Sequence, residues 1–262
     1  MIAEITDQQA LFDLLAALAD NKYFLGRRYA EWCNGAPTLE SSVAAAAMAQ
    51  DELGHARALY PLLQDFPQAQ GQLAEIEPET RTRFCNVAFL DQPFTGWPDF
   101  IAANFLLDTA LSVIFEFAQD STFESLRGRA RKVLQEEQVH ALHGEGWVRR
   151  LARTGGAVRG SLETALSRAW VETLCWFGPP GDPRGAQLQQ SGVLAGGPEE
   201  LRQRWLQRVG PALLETELAS AFSLQSAVKG RWLLTAPLPW ERWDAARRRL
   251  QAEDQKPGSS AQ

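Results

Sequence analysis

Histidine, cysteine, methionine and tyrosine are all scarce here: three His, three Cys, two Met and three Tyr in 262 residues. Cys33, Cys85 and Cys175 lie far apart, with no Cys-x-x-Cys among them. That spacing excludes a disulfide framework and leaves buried structural thiols in a reducing compartment as the expectation. No phosphate-cradling glycine-rich motif and no reductase-type cysteine cluster occurs, so any electrons must come from another protein. Positive charge is not in excess either. Lys and Arg total 26 against 32 Asp and Glu, a net charge of −6, and the basic residues are scattered. Nucleic acid is therefore not an expected partner. The opening MIAEITDQQA is acidic where a signal peptide would be basic, and no apolar run is read as membrane-spanning. The expectation is a cytoplasmic protein with no membrane partner. Strand-type alternation never lasts beyond a few residues.

What is present is helical periodicity. Thr6-x-x-Gln9 has the form of a capping box, and LFDLLAALADNKYFLGRRYAEWC keeps apolar residues at helical spacing until Asn34-Gly35-Ala36-Pro37 supplies turn chemistry. Thr38 can cap a second, alanine-rich helix, and alanine lets neighbouring helices approach closely. A polar connector with short turns is expected from about Gln64 to Pro98. Asp99 is expected to cap a third helix, DFIAANFLLDTALSVIFEFAQD, which is apolar on nearly every face and so belongs inside a bundle. A fourth helix is expected from near Ser121 to just before Thr154-Gly155-Gly156. SLETALSRAWVETLCWF reads as a fifth helix, and the Gly/Pro-rich stretch after it as a surface loop. One or two more helices begin at Pro198, WERWDAARRRLQAED reads as a polar helix, and residues 256–262 as a frayed tail. The expected fold is all-α: a four-helix bundle in residues 1–255 with additional C-terminal helices.

All three histidines fall in two short helical patches. Glu52 and His55 are on the second helix; Glu137 and His140, with His143 one turn further, are on the fourth. At i and i+3 a carboxylate and an imidazole leave the same helix face. Two such pairs are the pattern of a ferritin-like di-iron or di-manganese bundle, which also takes one carboxylate from each remaining helix. The third helix offers Asp108, a costly residue in an apolar stretch unless it is paired or bound to metal. Asp108 precedes Glu137 by 29 residues, and 29 residues before Glu52 stands Tyr23, not an acid. Asp20, Tyr23 or no residue at all completes the set; Glu31 is two turns from Tyr23. The rival reading is a metal-free network in which Asp108 pairs with Lys22 or an imidazole. In that comparison His143 falls outside the ligand set, Glu116 belongs to ion pairs elsewhere, and the tryptophans are packing residues.

LADNKYFLGRRYAEWCNGAPTLESSVAAAAMAQDELGHARALY resembles the opening hairpin of the structural subunit of phenylacetyl-CoA epoxidase, most specifically from Gly26 to Pro37. RFCNVAFLDQPFTGWPDFIAANFLLDT, HALHGEGWVRRLA and GVLAGGPEELRQRWLQRV are similar to later segments of that family, in the same order. The resemblance runs from about Leu11 to Val209 and fades beyond. It implies a ferritin-like subunit of a multicomponent monooxygenase that forms the ring epoxide of phenylacetyl-CoA with O₂ and NADPH in aerobic phenylacetate breakdown. It also implies partners: a catalytic di-iron subunit, a small assembly subunit, and a flavin and iron–sulfur reductase. Structural subunits of that family usually lack a working metal site, so no catalytic or cofactor-binding residue is assigned. The departure here is that both Glu-x-x-His pairs and Asp108 are present, while the helix-one carboxylate is missing. The alternative is accordingly an autonomous di-metal oxygenase or oxidase using Glu52, His55, Asp108, Glu137 and His140.

Overall fold

The computed structural model describes residues 8–67, 83–226 and 230–251. Thr6, and so the proposed capping box, lies outside the described residues, as do residues 68–82 of the polar connector and the C-terminal tail. Four long helices make a ferritin-like bundle from two antiparallel hairpins: α1 (Gln8–Ala30) with α2 (Leu39–Leu59), and α3 (Trp97–Phe117) with α4 (Glu124–Thr154).

On α1, Leu11, Leu15, Leu18, Lys22, Leu25 and Tyr29 alternate at spacings of four and three, and every one is fully buried. One member of that stripe is a lysine. The Thr38 hydroxyl accepts from Ser41 N and opens α2 as expected. Gly26 is needed where α1 crosses α2, because a Cβ there would sit 2.7 Å from Leu53 Cγ.

α3 begins at Trp97, with Gly96 before it and Pro98 in its first turn. Asp99 is therefore inside the helix; its carboxylate takes Thr95 N and Oγ1, each at 2.8 Å, instead of capping. Contrary to the reading of the sequence, α3 is long and apolar enough to cross a membrane, but 89% of its apolar window is buried within the bundle. Ala103–Asp108 within it is π-helical. Trp205 Nε1 donates to the Leu106 carbonyl of that stretch at 2.9 Å. Gly144 of α4 lets the π-helical backbone approach, since a Cβ would lie 2.9 Å from Asn104 Oδ1. α4 starts at Glu124, three residues after Ser121, whose hydroxyl instead takes the Phe123 amide.

α5 (Gly156–Trp176) and α7 (Pro198–Glu215) pack outside α3. Two readings of this half need correction. The Gly/Pro-rich stretch contains a short helix, α6 (Pro183–Gln190), because the Asp182 carboxylate accepts from Arg184 N and Gly185 N. WERWDAARRRLQAED is not the expected polar helix: among its described residues only Trp240–Arg242 makes a single 3-10 turn. It forms a hairpin of β3 (Trp243–Asp244) and β4 (Arg249–Leu250), following an earlier hairpin of β1 (Leu224–Ser226) and β2 (Trp232–Leu234). Tertiary anchors override helix propensity there. Asp244 Oδ1 accepts from Ala246 N and Arg247 N, Arg248 takes φ +50°, and the Arg248 and Arg249 side chains reach Trp176 O and Asp91. Of the cysteines only Cys175 is buried; Cys33 and Cys85 are half-exposed.

Candidate functional site

The bundle's interior brings side chains from all four long helices to a common point. Glu52 comes from α2, Asp108 from the end of the π-helical stretch of α3, and Glu137 and His140 from one face of α4. One donor atom from each lies within 4.8 Å of all the others, and all four residues are buried. This donor set could hold a metal ion.

From α1 comes Lys22. Its ammonium lies 2.9 Å from Glu52 Oε1, 2.8 Å from Asp108 Oδ1 and 2.5 Å from Glu137 Oε1, with no solvent exposure. A lysine ammonium has three protons to donate and here has three carboxylate acceptors. A cation thus already occupies the space that the carboxylates enclose, and a metal ion fits only if Lys22 withdraws. Tyr29, two turns along α1, places its hydroxyl 3.4 Å from Asp108 Oδ2.

The imidazoles extend the network. His140 Nδ1 is 3.1 Å from Asp108 Oδ2 and 3.2 Å from Glu52 Oε1, while Nε2 is 3.3 Å from Asp51 Oδ2. His55 Nε2 is 2.6 Å from Glu136 Oε2 and Nδ1 is 3.4 Å from Glu137 Oε1. The Ser112 hydroxyl is 2.9 Å from Glu137 Oε2 and 3.0 Å from Asp108 O. Glu52 Oε2 is buried with no hydrogen-bond partner among the described residues.

Charge follows from this geometry. Burial by itself would strip the proton from Lys22, but Asp108, Glu137 and Glu52 outweigh it and hold the lysine well above its ordinary range. Burial would likewise protonate Asp108, yet the Lys22 charge and the His140 contact keep it well below the usual carboxylate range. Glu52 goes the other way: burial and the Asp108 charge push it up to about 8 despite Lys22. Bonds to Asp108 and Glu52 overcome burial at His140 and push it up to about 12. At neutral pH the core therefore contains ionised Asp108 and cations at Lys22 and His140, with Glu52 pushed toward its protonated form.

Four of the five residues chosen from the sequence meet, and His55 stands at their edge, turned toward Glu136. The helix-one candidates do not join them. Asp20 takes Tyr60 OH at 2.8 Å and Cys85 N at 2.7 Å, and Tyr23 packs its ring against Phe24 and Tyr60. Counting 29 residues back lands one beyond the inward position, which is Lys22. The metal-free alternative pairs Asp108 with Lys22 or an imidazole, and the structure contains both contacts. Sequence reasoning misses Tyr29 and Ser112, although the four-three stripe on α1 marks Lys22 and Tyr29 as inward. His143 lies outside the cluster, with Nδ1 3.0 Å from Asn104 Oδ1; burial and the His140 charge push it down to about 4. Glu116 pairs with Arg204 and Arg208.

The family model described as Phenylacetic acid catabolic protein matches residues 3–236. The chain is similar to the C subunit of 1,2-phenylacetyl-CoA epoxidase from Escherichia coli (strain K12), at 26% identity over 201 residues, 77% of this chain and 80% of the relative. It is also similar to the A subunit of the same organism's enzyme, at 27% identity over 183 residues, 69% of this chain and 58% of the relative. The matched region ends at residue 236, so the β3–β4 hairpin lies beyond it.

Proposed function

This chain belongs to the phenylacetic acid catabolic protein family, and from that premise we propose that it is the structural, non-catalytic subunit of a phenylacetyl-CoA epoxidase. The observation that carries the reading is the Lys22 ammonium among Glu52, Asp108 and Glu137. A di-metal centre contributes positive charge that neutralises the converging carboxylates and ties four helices together. Lys22 does the same with a covalently attached cation, so the bundle keeps its core without acquiring a site that activates oxygen. Similarity to both the C and the A subunits supports descent from a common metal-binding bundle. Its partner on this reading is a cytosolic di-iron subunit of the same family, assisted by a small assembly subunit and a flavin and iron–sulfur reductase.

Co-expression with a di-iron chain of this family, followed by metal analysis of each purified chain, tests this. The expected result is a stable heteromer in which iron resides on the partner and less than about a tenth of an iron on this chain. A chain that remains alone, or that carries two irons itself, overturns it.

The complete pair of Glu-x-x-His motifs and the four-donor cluster favour a second reading, an autonomous di-metal oxygenase or oxidase. In that case Lys22 must leave the cluster, and Glu52, His55, Asp108, Glu137 and His140 would hold the metals, which supply oxygen activation when bound. The same metal analysis separates the two.

A further inference from the structure

We infer that the outward face shared by α2 and α4 is the docking surface for a helical partner that is apolar at one end and acidic at the other; this rests on the subunit reading above. The two helices run antiparallel along this face: His55 meets Glu136, Asp51 meets His140, and Arg129 Nε donates to Ala58 O at 2.6 Å. Four of the seven exposed large hydrophobic residues among the described ones lie here. Leu39 and Val43 on α2 are 77% and 62% exposed, and Val139 and Leu142 on α4 are 66% and 71% exposed. Large apolar side chains this exposed, concentrated on two neighbouring helices, are the kind of surface that marks interaction sites.

Beside Leu142 runs an open groove of about 600 Å³, lined also by Glu40, Ser41, Ala44, Gly146, Trp147 and Arg150. Mid-helix glycine is less favourable than alanine. Gly54 on α2 and Gly128 and Gly146 on α4 nonetheless have no neighbour within 4 Å where a side chain would begin, among the described residues. Packing inside this chain gives no reason for glycine at any of the three. Small residues flanked by apolar ridges are what a second helix needs for close approach.

The polarity of the face selects the occupant. The end where α2 starts carries Leu39, Val43, Leu142 and the groove. The end where α2 finishes carries exposed Arg57, Arg131 and Lys132, of which Arg131 lies 3.6 Å from the Asp120 carboxylate. The acids between them, Asp51 and Glu136, are turned to His140 and His55. A second copy of this chain is a poor match. A two-fold pairing in one direction sets cation against cation, and in the other sets cations on the apolar ridge. A different chain with an apolar strip and a carboxylate-rich end matches both halves.

The test measures affinity between this chain, with single substitutions, and a co-expressed di-iron chain of the family. Val43→Asp and Leu142→Asp should each weaken association about a hundredfold. Val158→Asp and Leu214→Asp, also apolar and exposed but on α5 and α7, should leave it unchanged. Arg131→Glu with Lys132→Glu should weaken it about tenfold at low salt, with the gap closing at high salt. If the wild-type chains do not associate, the subunit reading falls and the docking assignment with it. Should they associate but tolerate Val43→Asp and Leu142→Asp, the surface is wrong and the subunit reading stands. A wild-type chain that dimerises with itself through Leu142 overturns the choice of partner. So does a lowered melting temperature of isolated Val43→Asp, which would mean that another segment of this chain covers the face.

Discussion

The two hairpins of the bundle are built alike and end differently. Each puts a Glu-x-x-His on its second helix, Glu52/His55 on α2 and Glu137/His140 on α4. On the first helices the likeness stops: α3 presents Asp108 to the centre, and α1 presents Lys22. One hairpin thus supplies an ionised acid, the other a cation and a carboxyl, Glu52, that burial and the Asp108 charge push up to about 8. The difference teaches that the same inward position can serve as a metal ligand or as a counter-charge. The choice changes the chemistry without disturbing the packing, because both side chains are buried and carry their charge at the tip.

Removing the cation should break the comparison most. Lys22→Ala leaves three converging carboxyls without their shared donor and should cost about 3–5 kcal/mol in urea unfolding at pH 7. A loss below about 1 kcal/mol would mean that Lys22 is not the hub. Making the first hairpin copy the second, with Lys22→Glu, should be at least as costly in metal-free buffer. It should recover stability on adding Mn(II) or Co(II), read as a rise in melting temperature that the wild-type chain does not show.

Substituting the two carboxyls sharpens the contrast. Asp108→Asn removes an ionised partner of Lys22 and His140 and should cost about 3–5 kcal/mol, whereas Glu52→Gln mimics a protonated group and should cost within about 1 kcal/mol. Their pH signatures should be opposite. Asp108 is depressed, so its contribution is present above its unfolded value near 3.8 and is lost as pH falls through its folded value. Glu52 is raised, so its contribution is full below about 4.5 and is lost as pH rises through about 8. The fall of melting temperature with pH between about 4.5 and 8 should therefore be shallower in Glu52→Gln than in the wild type. Equal slopes in that variant and the wild type would contradict the assignment. Ser112→Ala, which deprives Glu137 Oε2 of its donor, should fall between these two carboxyl substitutions, at about 1–3 kcal/mol by urea unfolding.

Much of this is legible in the sequence. The four long helices, the Thr38 cap and the convergence of Glu52, Asp108, Glu137 and His140 follow from periodicity and i, i+3 spacing. Lys22 is half-legible. It occupies an inward position in Leu11, Leu15, Leu18, Lys22, Leu25, Tyr29, yet a symmetry count of 29 points one residue on, because the two hairpins are not equal in length. α3 reads as a simple buried helix, and nothing local announces that Ala103–Asp108 is π-helical; Trp205, 99 residues beyond Leu106, meets its carbonyl. The C-terminal hairpin is not legible either. Trp176 and Asp91, which hold Arg248 and Arg249, are remote in sequence, and helix propensity along WERWDAARRRLQ carries no trace of them.

Crystals grown in Mn(II) and measured at an anomalous wavelength test the central claim most directly. The account predicts no anomalous peak among Glu52, Asp108, Glu137 and His140, with Lys22 Nζ in hydrogen-bond contact with all three carboxyls. A peak at that point, with the Lys22 side chain withdrawn from it, would contradict it.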